Sequence, residues 1–193
     1  MLNKPYSDKE QAILASTVQL MRDGVDIAQM KVADIAAAAN VGKGTVYEYF
    51  QSKDEIIQCA IAYGTQNWLE GAQADISSVD TFDEKMATLV DWLYDSARER
   101  HMLFQIQKGA HPSNPPVFIT IVQEKVTELL ADILSTGLRE KRFELSDPVY
   151  TAFALVYLLL GYAVLRFINT EINPEVQSKE SILRMVYTLL EVK

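Results

Sequence analysis

The sequence has very little cysteine and histidine. Its 193 residues include one cysteine, Cys59, and two histidines, His101 and His111. A single cysteine cannot form a disulfide within the chain, which excludes a disulfide-bonded framework and favours a reducing compartment. We expect Cys59 to pack as a small apolar residue. Neither histidine has a cysteine, histidine or carboxylate at metal-ligand spacing. The sequence therefore predicts no metal site and no cofactor.

Basic charge is also scarce. The chain has 18 lysines and arginines against 26 acidic residues, a net charge of −8. Residues 1–63 hold six basic and eight acidic residues, and residues 64–193 hold twelve and eighteen, so the two parts carry −2 and −6. Neither part is the basic patch expected of a strong non-specific binder of nucleic acid. If DNA is the partner, a few well-placed cations must bind it.

Long apolar stretches are few. No apolar signal-peptide run follows Met1, and residues 6–10 are polar, so we expect a cytoplasmic protein. The stretch 149–165 has no charged residue over 17 positions, whereas a membrane-spanning helix needs about 20 residues. Tyrosines and Gly161 interrupt it. We expect no membrane span, but a helix buried both against its own domain and against a second copy of the chain.

Helical periodicity is what the sequence does contain, and no alternating strand pattern is present. Ser7 to Glu10 and Ser52 to Glu55 are capping boxes that open helices, and Gly24 is a helix stop. The pattern predicts an all-α protein of about nine helices. The first lies between Ser7 and Gly24, and the others cover about 32–39, 43–50, 53–74, 81–100, 102–108, 116–141, 148–169 and 178–192.

Three short helices at the N-terminus have the spacing of a helix-turn-helix. The turn between the second and third, residues 39–42, has the length that this motif needs. Around the third helix, Val46 and Phe50 share a side with Gly42. The opposite side suits a major groove, because Gly44 has no side chain to hold the backbone away from the duplex. This opposite side carries Gly44, Thr45, Tyr47 and Glu48, with Tyr49 at the border.

Residues 32–57 resemble the signature of the TetR/AcrR family of bacterial transcriptional regulators. The order Lys-Gly-Thr-Val-Tyr-x-Tyr-Phe-x-x-Lys, from Lys43 to Lys53, is far more specific than a general helix-turn-helix pattern. The resemblance in motif covers about residues 8–65. It implies a three-helix DNA-binding head in residues 1–52 and an antiparallel helical bundle in residues 53–193 that binds ligand and dimerises.

The resemblance also implies a set of DNA contacts. The chain has Met30-Lys31 where the family usually has a threonine that opens the second helix, so the side-chain cap is expected to be missing and Lys31 to replace the phosphate contact. Asn40 stands where the family usually has glycine, and asparagine tolerates the left-handed conformation. Glu48 is unusual beside phosphates, although it can accept from cytosine N4. The predicted DNA contacts are Lys31, Lys43, Gly44, Thr45, Tyr47, Tyr49 and Lys53.

The remaining predicted sites lie in the helical bundle of residues 53–193, which we call the body. An apolar or aromatic effector is expected to bind there, although such residues taken singly are more often plain core. The predicted effector-binding residues are Trp68, Met86, Leu89, Trp92, Leu93, Phe104 and Val122. The predicted homodimer interface is a four-helix arrangement that contains Val156, Leu160, Val164, Ile182, Val186 and Leu189.

The function predicted from these features is a repressor that a small effector releases from a palindromic operator. Two other classes of function stay open. A helical enzyme would need paired carboxylates, a phosphate loop or a nucleophile with a base, and the sequence shows none of these patterns. An adaptor that has lost DNA binding would fit the acidic charge and Glu48. The sequence names neither the effector nor the operator.

Overall fold

The computed structural model describes residues 6–96, 117–168 and 178–192, and these residues form eight α-helices and no strand. The predicted all-α class is confirmed. The helix predicted at 102–108 lies outside the described residues. The helices are α1 (Asp8–Arg22), α2 (Val32–Ala38), α3 (Lys43–Tyr49), α4 (Lys53–Ser77), α5 (Phe82–Ser96), α6 (Val117–Arg139), α7 (Pro148–Ile168) and α8 (Lys179–Leu189).

The helix ends follow the predicted caps. The Ser7 hydroxyl accepts from the Glu10 N–H, and the Glu10 carboxylate accepts from the Ser7 N–H at 2.8 Å. Gly24 has φ of 83°, as a helix stop in the left-handed region requires. The Asp147 carboxylate accepts from the Tyr150 N–H at 2.9 Å, which caps the first turn of α7. Local sequence therefore determines where these helices begin and end.

Contacts divide the described chain into two compact units, with one division after Trp68, inside α4; the first unit also includes residues 117–121 at the start of α6. In the first unit α1 packs against α2, and α2 against α3. Its core contains apolar residues from all three helices and from the first part of α4. The predicted boundary at residues 52 and 53 therefore differs from this division, which assigns the start of α4 to the first unit.

The second unit is organised around an aromatic cluster. Phe82 and Phe143 meet edge to face with ring centroids 5.1 Å apart, and Tyr187 lies 5.9 Å from Phe82. Burial, and then a hydrogen bond to Asp83, raises the pKa of Tyr187 to about 12. Gly137 of α6 is buried at this cluster. The absence of a side chain there lets the two phenylalanine rings pack directly on the α6 backbone.

Ion pairs connect α5 to its neighbours in the second unit. Lys85 pairs with Asp132 of α6 at 2.9 Å, and Lys179 of α8 pairs with Asp91 at 2.6 Å. Lys85 is buried, whereas Lys179 and Asp91 are partly exposed, so the second pair contributes at most about 1 kcal/mol and mainly orients the helices. Within the described parts of the chain, no helix has the length and apolar character required to span a membrane.

Replacing Gly137 with alanine is expected to destabilise the protein. The added Cβ would lie 2.6 Å from the Phe143 ring and 2.9 Å from the Phe82 ring, and overpacking of this kind costs about 1–3 kcal/mol. The matched control is Gly44→Ala, where nothing lies within 4 Å of the added carbon, so better helix propensity is expected to stabilise it by about 0.5–1 kcal/mol. Denaturant unfolding measures both variants. A Gly137→Ala protein as stable as the parent would contradict the packing described.

Candidate nucleic-acid interface

The third helix is held by two side chains on one side. Val46 is fully buried and Phe50 is 3% exposed, and both belong to the core of the first unit. They are four residues apart, so they lie on the same side of the helix. A seven-residue helix is too short to be stable alone in water. The burial of these two residues therefore fixes which side of α3 faces outward.

The turn between α2 and α3 is a Schellman motif. The Val41 N–H donates to the Ala36 carbonyl at 3.0 Å, and the Asn40 N–H donates to the Ala37 carbonyl at 3.1 Å. Asn40 has φ of 53°, in the left-handed region. The prediction that asparagine replaces the usual glycine here is confirmed. The turn satisfies two carbonyls at the end of α2 and directs the chain into α3.

The outward side of α3 carries a glycine and polar side chains. Lys43, Gly44 and Glu48 are exposed, and Tyr47 is 49% exposed. A Cβ added at Gly44 would meet nothing within 4 Å. The Lys43 ammonium lies 5.9 Å from the centre of the Tyr47 ring, a distance at which a cation and an aromatic face attract each other. This side can approach another molecule down to the helix backbone.

Two of the predicted contacts on α3 are less accessible. Thr45 and Tyr49 are half-buried, and Tyr49 packs against the core of the first unit. Both stand at the edges of the exposed side, so a ligand that covers this side would reach them from its flanks. The structure therefore brings Lys43, Gly44 and Tyr47 together at the centre of the surface and places Thr45 and Tyr49 beside them.

The start of α2 is capped in a way that sequence reasoning missed. Lys31 is the N-cap residue, and its side chain makes no capping hydrogen bond, as expected from the missing threonine. The Asp34 carboxylate instead accepts from the Lys31 N–H at 2.9 Å. An acidic residue three positions after the cap is half of a capping box, so the signal was present in the sequence. The Lys31 side chain is left exposed.

Lys53, the first residue of α4, is already hydrogen-bonded. Its ammonium donates to the Ile27 carbonyl at 3.0 Å and to the Ala28 carbonyl at 3.3 Å, and its side chain is half-buried. These carbonyls belong to the loop between α1 and α2. The predicted contact between Lys53 and a phosphate stays a prediction. The structure shows that the ammonium also binds backbone carbonyls of its own chain.

Cys59 is half-buried on α4, next to Tyr6. Burial raises the pKa of the Cys59 thiol. Burial, and then the neighbouring Cys59, raises the pKa of Tyr6 to about 12. A protonated thiol is a poor nucleophile, which agrees with the prediction that Cys59 packs as a small apolar side chain. Among the residues that the structure describes, no three potential ligands cluster as a metal site.

The comparisons with known proteins match the segment that contains α2 and α3. Residues 13–59 match the family model described as "Bacterial regulatory proteins, tetR family". An HTH-type transcriptional regulator of Staphylococcus aureus strain MRSA252 is 41% identical over 58 residues, a match that spans 28% of this chain and only 30% of the length of that relative. The resemblance to the TetR family is therefore confirmed for the N-terminal segment of the chain.

Solved structures similar to this chain extend the fold likeness beyond the matched segment. The fatty acid degradation regulator FadR from Bacillus halodurans is 19% identical, with a TM-score of 0.69 over 98% of this chain and 100% of that one. A transcriptional regulator from Cytophaga hutchinsonii is also 19% identical, with a TM-score of 0.68 over 96% of each chain. FadR from Bacillus subtilis, in complex with stearoyl-CoA, is 20% identical, with a TM-score of 0.65 over 91% of this chain and 96% of that one. At these identities the likeness shows the fold alone.

The predicted effector-binding residues lie mostly in packed positions. Met86, Leu89, Leu93 and Val122 of the second unit are all at most 5% exposed. Trp92 is half-buried, and its indole N–H donates to the Asp75 carboxylate at 2.9 Å. Trp68 is half-buried at the end of the first unit, and Phe104 lies outside the described residues. Whether these residues bind an effector stays a prediction.

A groove of about 520 Å³ runs along α8 in the second unit. None of the predicted effector-binding residues lines it. Its lining is mixed apolar and charged, and consists of Glu180, Leu183, Arg184, Tyr187, Thr188, Glu191 and Val192.

Three of the predicted dimer-interface residues, Val156, Ile182 and Val186, are at most 1% exposed within a single chain, so they pack in its own core. Their part in a dimer interface stays a prediction. Leu189 is 60% exposed and remains available for an interface. The side chains of Leu160 and Val164 lie outside the description. Among the side chains that the structure describes on the same two helices, the exposed large apolar residues are Val149, Tyr150, Phe153 and Tyr157 of α7, and Met185 and Leu189 of α8.

Proposed function

We propose that this chain is a homodimeric transcriptional repressor that binds duplex DNA through α3 and is released by a small effector. The observation that supports DNA binding most directly is the outward side of α3. Its backbone is bare at Gly44, while Val46 and Phe50 anchor the opposite side. A helix with one anchored side and one bare, polar side has the form that enters a major groove.

In this proposal the predicted contacts divide by chemistry. Lys31 and Lys43 bind phosphates, and the hydroxyls of Tyr47 and Tyr49 donate to phosphate oxygens. Thr45 reads a base edge or a thymine methyl group, and Gly44 lets the backbone approach. With a net charge of −8, non-specific binding is weak, so affinity depends on these few contacts. Two α3 helices of a dimer read half-sites about one helical turn, or a small multiple, apart.

Gly44→Ala is expected to separate stability from DNA binding. The variant folds at least as stably as the parent, because the added methyl group meets nothing within 4 Å. It binds DNA more weakly, since the methyl group occupies the space through which the backbone approaches the duplex. Fluorescence anisotropy on a duplex selected from a random pool measures the affinity. Unchanged affinity would contradict the proposed orientation of α3.

Two further substitutions serve as matched controls in the same assay. Lys43→Ala weakens binding to all sequences and lowers the slope of log K against log salt by about 0.9, because one phosphate contact is lost. Thr45→Ala changes the preference at one base pair by about 1–3 kcal/mol. If both variants select and protect the same sequences as the parent with equal affinity, α3 is not the recognition helix.

The proposed dimer uses the exposed apolar surface of α7 and α8. Val149, Phe153 and Tyr157 are spaced four residues apart, so they share one side of α7, and all three are exposed. On α8, Met185 and Leu189 have the same spacing and are also exposed. Exposed apolar patches of this kind typically mark an interface between proteins. A two-fold dimer pairs the same surface of both copies.

Tyr157→Glu is expected to dissociate this dimer without unfolding the chain, because Tyr157 is 64% exposed and a carboxylate in an apolar interface loses its hydration. Light scattering after gel filtration should give the 21.7 kDa chain mass for this variant and twice that mass for the parent. The control is Val156→Ala, fully buried in its own chain, which costs about 2 kcal/mol of stability but leaves the dimer intact. A dimeric Tyr157→Glu protein would locate the interface elsewhere.

The effector is the third part of the proposal. Packed apolar residues and two tryptophans in the body favour an apolar or aromatic ligand. FadR from Bacillus subtilis was solved with stearoyl-CoA, so long-chain acyl-CoA is a sensible first probe. Stearoyl-CoA is expected to weaken DNA binding by about 5–150-fold, the range of typical coupling between sites. Free coenzyme A, which lacks the acyl chain, is the control. DNA affinity that no apolar or aromatic compound in a broad screen changes would contradict this part.

An adaptor without DNA binding is the second candidate function. The exposed Glu48 on the outward side of α3 favours it, because a carboxylate repels phosphates unless it accepts from a base. Salt-dependent binding of the selected duplex by the parent protein separates the two candidates. The proposal includes no catalytic activity, and turnover by the purified protein would argue against it.

A further inference from the structure

The loop between α1 and α2 contains a single helical turn. The Asp26 carbonyl accepts from the Gln29 N–H at 3.0 Å and from the Met30 N–H at 2.9 Å. The Asp26 carboxylate accepts from the Ala28 N–H at 3.0 Å. Met30 is 2% exposed and belongs to the core of the first unit. The turn therefore has a defined shape and is anchored by Met30 in the core of the first unit.

This turn ends where a continuing helix would make its next hydrogen bond. In a longer helix the Lys31 N–H would donate to the Ile27 carbonyl. Here it donates to the Asp34 carboxylate. The Ile27 and Ala28 carbonyls both accept from the Lys53 ammonium, at 3.0 and 3.3 Å. A cation at the carbonyl end of a helical turn is electrostatically favourable.

The position of Lys53 is itself fixed by the start of α4. The Ser52 hydroxyl accepts from the Glu55 N–H at 3.1 Å, and the Glu55 carboxylate accepts from the Gln51 N–H at 2.6 Å. Ile56, on the next turn, is fully buried. The capped first turn therefore directs the half-buried Lys53 side chain toward the loop.

From these contacts we infer that Lys53 is a positioning residue, which ties the first turn of α4 to the α1–α2 loop and so sets the start of α2. This inference rests on the proposed DNA-binding function. An ammonium has three donors, and two of them serve the loop carbonyls. Because α2 packs against both α1 and α3, the position at which α2 begins affects the orientation of α3. Lys53 acts on DNA through the loop and not through a phosphate.

Lys53→Met tests this role, because it removes the ammonium and keeps an unbranched apolar stem. Lys53→Arg keeps a charged donor and is the conservative variant. Lys43→Met is the matched control, since Lys43 is an exposed lysine on α3 that is proposed to bind phosphate. Two measurements are made on the full-length protein: amide hydrogen exchange without DNA, and affinity for the selected duplex as a function of salt.

In the Lys53→Met variant, the Gln29 and Met30 amides are expected to exchange faster than in the parent. The variant is also expected to bind the duplex about tenfold more weakly, which is the loss typical of one charged hydrogen bond. Its salt slope is expected to equal that of the parent. Lys53→Arg restores the exchange and most of the affinity. Lys43→Met shows the opposite pattern, with parent-like exchange and a slope lower by about 0.9.

A fall of about 0.9 in the slope of Lys53→Met would overturn the inference, because it would identify a lost phosphate contact. Unchanged amide exchange in the loop would overturn it as well. If Lys53→Met does not fold, the neutral and shorter Lys53→Gln is measured in its place. If the parent protein binds no duplex, the proposed function fails, while the exchange comparison still decides whether Lys53 holds the loop.

Discussion

The burial of Val46 and Phe50 is the constraint on which the N-terminal head depends. A helix as short as α3 contributes little stability of its own, so its position comes from these two side chains and from the turns at its ends. With the inward side committed to packing, the outward side is free to carry glycine, lysine and tyrosine. The same packing that stabilises the head thereby exposes the residues that suit a groove.

The turns around α2 complete this arrangement through backbone hydrogen bonds. Asn40 ends α2 in the left-handed conformation, and the Asp34 carboxylate caps its start. The carbonyls of the preceding loop are bound by a lysine from α4. Each of these contacts satisfies a backbone group that a short helix leaves without an internal partner. In an acidic chain, they also show that a cation near the head can have an internal structural role.

Much of the head could be predicted from the sequence, because its signals are local. Capping boxes, Gly24 and the two sides of α3 each depend on residues within a few positions of one another. The contact between Lys53 and the α1–α2 loop joins residues 25 or 26 positions apart, and no local pattern reports it. Asp34 is also a local signal, because it stands three positions after the N-cap residue of α2.

The body was harder to predict because α7 is apolar on nearly all sides. Periodicity identifies a helix there, but it does not say which side packs inward. Val156, which is predicted to lie at the dimer interface, belongs to the chain's own core, whereas Phe153 and Tyr157 are exposed. Which side of such a helix packs inward depends on tertiary contacts, and these cannot be inferred from the pattern of a single sequence.

The single cysteine has a practical consequence. Cys59 is half-buried, and burial raises the pKa of its thiol, so it reacts slowly with electrophiles near neutral pH. A cysteine introduced at an exposed position is therefore expected to take a spectroscopic label selectively, with the native thiol left in place. One label per chain on the outer surface of the head would then report the separation between heads in an assembled molecule directly, as a distance distribution.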